Sequence, residues 1–117
     1  MFGALKKVFV RKVRELEAEL TLYVQPFQKA GEVEFAFFSD GTIKAEAKLG
    51  FLGEAETKRV VVHVNKTALF PVKGTLGFAG CEDIRIQKHF SDIIKPGAKV
   101  IVTVDDQPYA AGLLKVD

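Results

Sequence analysis

Apolar and polar residues alternate with a period of two along much of this chain, and that alternation restricts the fold more than any other feature. In Glu17-Ala18-Glu19-Leu20-Thr21-Leu22-Tyr23-Val24, the residues Ala18, Leu20, Leu22 and Val24 share one face. Successive side chains of a strand point to opposite sides, so this pattern suits a strand with one face on a core and the other in water. Pro26 is expected to end the strand, because it has no backbone N–H to donate. Val33, Phe35 and Phe37 share a second such face, and Ile43, Ala45, Ala47 and Leu49 a third.

Register fixes the turn between the second and third strands. A two-residue turn at Asp40-Gly41 would set Phe37 against Lys44 and Phe35 against Glu46. A three-residue loop, 39–41, instead pairs Phe37 with Ile43, Phe35 with Ala45 and Val33 with Ala47. The second arrangement keeps apolar residues together, and it asks Gly41 for a left-handed conformation. By the same logic Val100, Val102 and Val104 are expected to face Leu113, Ala111 and Tyr109 across a four-residue loop, Asp105-Asp106-Gln107-Pro108. Thr57 to Asn65 forms another strand, with Val60, Val61 and Val62 suggesting burial on both faces. Leu69–Phe78 and Asp83–Lys88 are weaker strands, since Pro71 and Gly74 interrupt the first.

Helix is scarce. Residues 2–13 place Phe2, Leu5, Phe9 and Val13 on one helical stripe, with basic residues over most of the rest. A strand here would turn Lys12 and Arg14 inward, so a helix is the expectation. Residues 89–94 form a short turn that Pro96 ends.

These elements predict an all-β fold: a small antiparallel sandwich or partly open barrel of about seven strands, with one N-terminal helix over an end or edge. A length of 117 residues suits one domain over 1–117, divided into a basic amphipathic segment, 1–14, and a β body, 15–117. The predicted core includes Leu20, Leu22, Val33, Phe35, Phe37, Ile43, Val60, Val62, Val100, Val102 and Val104. Leu49-Gly50-Phe51-Leu52-Gly53 is echoed by Leu76-Gly77-Phe78-Ala79-Gly80, as two similar strand-to-turn transitions or as a duplicated unit.

Composition narrows the habitat. At 48% hydrophobic residues the chain is no disordered segment. No apolar run approaches the roughly 20 residues that span a bilayer, and the early cations interrupt any signal-peptide core. A single cysteine, Cys81, excludes an internal disulfide and favours a reducing, cytoplasmic setting. One Asn, one Cys and one Met, against thirteen lysines and nine glutamates, resemble the composition of a heat-adapted protein.

The formal charge of +2 conceals an uneven distribution. Residues 1–14 hold five basic side chains, Lys6, Lys7, Arg11, Lys12 and Arg14, and no acidic one, so the β body carries three net negative charges. Such a segment suits phosphates, an acidic partner or a membrane interface, or simply packs a helix stripe on the sheet with its cations in water.

Catalytic and metal patterns are missing. His63 and His89 stand alone in sequence, without H-x-x-x-H or C-x-x-C spacing, and a composite site from Cys81, Asp83 and His89 needs the fold to gather them. Ser39 and Ser91 lack a nucleophile context. Cys81, beside Glu82 and Asp83, has a poorly activated thiol. The pairs Glu17/Glu19 and Glu32/Glu34 fall on outward strand faces, the ordinary solvated pattern. Phe38, Tyr23 and Phe27 are the aromatics expected to look outward. No catalytic residue, metal or cofactor is therefore expected. The leading reading is a non-enzymatic binding or assembly module that self-associates through the basic segment and strand surfaces, with a protein partner or a second copy. The alternatives are a nucleic-acid-binding module using Lys6, Lys7, Arg11, Lys12 and Arg14, and a small enzyme with an unrecognised site.

Overall fold

The computed structural model describes residues 10–54 and 58–117, with residues 51–54 and 74–79 given by their backbone alone. The strands are β1 (Lys12–Leu22), β2 (Lys29–Phe38), β3 (Ile43–Glu54), β4 (Val60–Val64), β5 (Thr67–Val72), β6 (Gly74–Ile86), β7 (Lys99–Val104), β8 (Gln107–Leu113) and β9 (Lys115–Val116). They form one antiparallel sheet in the order β5-β4-β7-β8-β1-β2-β3-β6, and β9 adds to β1. The sheet curls into a nearly closed barrel. Its end strands, β5 and β6, are joined through Lys73, whose carbonyl accepts a bond from the Gly80 N–H at 3.1 Å. Among the described residues no helix is long and apolar enough to cross a membrane.

The meander β1–β2–β3 follows the alternation closely. Phe37 pairs with Ile43, Phe35 with Ala45 and Val33 with Ala47, the register of a three-residue loop. Gly41 takes φ +88°, the left-handed conformation which that loop requires. β1 ends at Leu22, short of the expected Val24, and Val24 lies 86% exposed in the loop to β2. The loop is closed by bonds from Leu22 N–H to the Gln28 carbonyl and from Gln28 N–H to that of Gln25.

The C-terminal hairpin departs from expectation by one residue. Val102 pairs with Ala110 and Val104 with Gln107, so the turn is the two residues Asp105-Asp106, both at positive φ (49° and 69°). Two successive left-handed residues match the twist of a tight hairpin, and a register shift between Val102 and Thr103 absorbs the extra residue, Tyr109. Asn65-Lys66 makes a similar turn between β4 and β5, with φ of 48° and 72°. The weaker segments 69–78 and 83–88 resolve into β5 and the long β6.

The N-terminal helix is not seen. Val10 and Arg11 have no regular structure and β1 begins at Lys12, so the expectation fails over 10–13; residues 2–9 lie outside the described residues. The reason is a ladder partner. β2 runs on to Phe38, pairing with Lys12, and Ser39 N–H then donates to the Arg11 carbonyl at 2.8 Å. The objection to a strand is met by a register shift between Lys12 and Arg14. Lys12 lies beside Glu15, and Arg14, at the mouth of the barrel, lays its guanidinium over the Phe37 ring at 4.6 Å.

Inward residues of every long strand build the core. Leu20, Val33, Phe35, Ile43, Val60, Val62, Val100 and Val102 are buried as expected, while Leu22, Phe37 and Val104, at strand ends, are half-buried against them. Phe35 on β2 and Phe70 on β5 meet edge to face across the interior, with ring centroids 6.4 Å apart. A 3-10 helix, Lys88–Asp92, leads into the fully buried Ile94. β8 approaches β1 so closely at Gly112 that a Cβ there would lie 2.1 Å from the Glu19 carbonyl oxygen. The two echoed segments turn out to be neighbours, with Leu49 paired to Ala79 and Gly50 to Phe78.

Candidate binding surfaces

Cross-strand register turns the sequence's scattered glutamates into one acidic strip. Glu17 on β1 stands directly opposite Glu34 on β2, Glu19 opposite Glu32, and Glu34 opposite Glu46 on β3. All sit between inward-facing core residues, so they share the outer face. Like charges directly opposed destabilise a sheet. Glu34, at the centre, feels this most. Burial first, then the carboxylates of Glu15, Glu46 and Glu17, push it up to about 7. Glu17 is raised as well, by burial and then by Glu32.

One cation relieves one end of the strip. The Lys12 ammonium donates to Glu15 Oε2 at 2.7 Å and holds that carboxyl below its ordinary range. The same bond raises the Lys12 ammonium. Asp117, hydrogen-bonded to Glu15, is raised.

Carboxylate oxygens of Glu15, Glu34 and Asp117, and separately of Glu17, Glu32 and Glu34, lie within 4.8 Å of one another. Such oxygen trios are the donor type of hard divalent cations. Sequence reading left these residues as ordinary solvated side chains. The available signal was the Glu-x-Glu spacing in both β1 and β2, which becomes a cluster only once the register is known.

The five basic residues separate on inspection. Lys6 and Lys7 lie outside the described residues. Arg11 is tied to the β2–β3 loop, its N–H donating to Ser39 Oγ at 3.0 Å. Lys12 meets the acidic strip and Arg14 caps Phe37. At the same end of the barrel the fold adds cations that sequence reading did not connect. Arg85 on β6 pairs opposite Lys44 on β3, and Lys88 follows at the start of the 3-10 helix.

The candidate catalytic side chains sit on separate elements. His63 on β4 shares a 3.0 Å hydrogen bond with Thr103 Oγ1 on β7, and the His89 ring lies 4.1 Å from that of Phe90. Cys81 stands opposite Ala47, and burial pushes its thiol up, away from the nucleophilic thiolate. Of the aromatics expected outward, Phe27 is fully exposed and Tyr23 44% exposed, whereas Phe38 is half-buried under the Lys44 ammonium at 5.5 Å.

Comparison with family models, with curated proteins and with solved structures finds no match to this chain. Fold and surface together define a small antiparallel β-barrel-like domain with an acidic flank and a basic end.

Proposed function

We propose that this chain is a non-enzymatic binding or assembly module that self-associates, the basic segment of one copy docking on the acidic strip of another. The observation that carries the reading is the set of directly opposed pairs Glu17–Glu34, Glu19–Glu32 and Glu34–Glu46 on one outer face. That face gathers the negative charge of the β body where cations from outside can reach it. Lys6, Lys7, Arg11, Lys12 and Arg14 supply cations in a short run of the same chain. The Lys12–Glu15 contact illustrates the chemistry of the pairing. Opposite charges on two surfaces steer their encounter and fix their register.

Size-exclusion chromatography with light scattering tests the reading. The expected result is a dimer or larger species at low salt that dissociates as salt rises. Charge reversal at Lys6 and Lys7, or at Glu19 and Glu32, is expected to give monomer, and combining the two reversals to restore association. A monomer at every concentration and salt overturns the proposal.

A further inference from the structure

The β2–β3 loop and the end of β6 enclose an open cleft of about 400 Å³, lined by Asp40, Gly41 and Thr42 on one side and Arg85 and Lys88 on the other. We propose that this cleft seats a phosphate of a single-stranded nucleic acid, whose backbone continues over Arg11 and Arg14.

Charge is the first argument. Among the described residues neither Arg85 nor Lys88 makes an ion pair, and both are exposed. Arg85 stands directly opposite another cation, Lys44, a like-charge pair that an anion would relieve. Asp40 is the acid in the lining, and its Oδ1 is engaged by the Thr42 N–H at 2.9 Å. Shape is the second. A Cβ on Gly41 would come within 3.0 Å of Lys88 Nζ, so glycine leaves room for the ammonium over the loop.

Continuity decides between a lone phosphate and a strand. Arg11 is bonded to the same loop through Ser39, from the side away from Lys88, and Arg14 follows over Phe37. One phosphate in an open, solvated cleft gains little from exposed cations. A polyanion that meets several of them releases counterions at each. Beside Lys88, the exposed His89 ring against Phe90 offers a surface for a base to stack on. The site uses Arg85 and Lys88, which the self-association reading does not, so either can fail without the other.

Fluorescence anisotropy of the full chain with a short labelled oligouridylate tests it. Binding is expected at low salt, weakening steeply as salt rises. The double variant Arg85→Glu, Lys88→Glu is expected to lose at least about tenfold in affinity while keeping its oligomeric state. The double variant Arg85→Gln, Lys88→Gln is expected to flatten the dependence of log K on log salt by about 1.4, from two lost phosphate contacts. Titration of the wild-type chain should shift the backbone amide resonances of residues 40–42 and 85–88, a readout free of folding artefacts. No binding at low salt, unchanged affinity in the natively folded double variants, or equal binding of labelled polyglutamate each overturns the proposal.

Discussion

Glu17 and Glu34 face one another across the β1–β2 ladder, and Glu34 meets a third carboxylate, Glu46, on its other side. This crowding makes stability depend on pH in a direction unusual for glutamate. Glu34 stands at about 7 in the folded chain against an ordinary 4.5. Between those values the folded chain keeps a proton that the unfolded chain has released. The stability tied to that proton is whole below the unfolded value and lost as pH rises through the folded one. Solvent screens the half-exposed group, so Glu34→Gln is expected to stabilise the fold by only about 1 kcal/mol near pH 8 and hardly at all near pH 4. Urea midpoints across that range check this; a gain that does not grow with pH would contradict it. Glu15 acts in the opposite sense, its depressed value adding stability that disappears only as pH falls below the ordinary carboxylate range.

Phe35 and Phe70 touch although β4, β7, β8 and β1 lie between their strands along the sheet. Their contact therefore reports barrel closure rather than local pairing. Phe35 is fully buried, so Phe35→Ala is expected to cost about 3–5 kcal/mol in urea unfolding, from lost transfer energy and the cavity left behind. A double-mutant cycle with Phe70→Ala should give a coupling near 1 kcal/mol. Strict additivity would mean that the two edges of the sheet are energetically independent.

Gly112 and Gly50 make a matched pair of substitutions. A methyl on Gly112 runs into the Glu19 carbonyl, which is backbone and cannot swing aside. Gly112→Ala is expected to destabilise by about 1–3 kcal/mol through forced separation of β8 from β1. At Gly50 nothing lies within 4 Å of an added Cβ, so Gly50→Ala should stay within about 0.5 kcal/mol of the wild type. Thermal unfolding of the two single variants separates them.

The β1–β3 meander is legible in sequence because its alternation has a clear phase and Gly41 leaves one sensible loop length. The C-terminal hairpin is less so. Val100-Ile101-Val102 is apolar on both faces, which erases the phase, and nothing local announces the register shift before Thr103. Residues 10–13 satisfy helical spacing on their own, and only the length of β2 decides otherwise. The basic segment can be read directly, as adjacent residues. The acidic strip and the Arg85–Lys88 cleft cannot, since they exist only where distant strands come into register.

β1 has β2 on one edge and β8 and β9 on the other, so Leu16 pairs with Val116 and Thr21 with Ala111. During synthesis the meander can zip up as it emerges, while the far edge of β1 stays open until the last strands arrive. Such delayed, non-local pairing places folding on the slower, millisecond-to-second scale of β-rich domains. Throughout that interval the open edge of β1 is the part of the nascent chain most exposed to pairing with a neighbour.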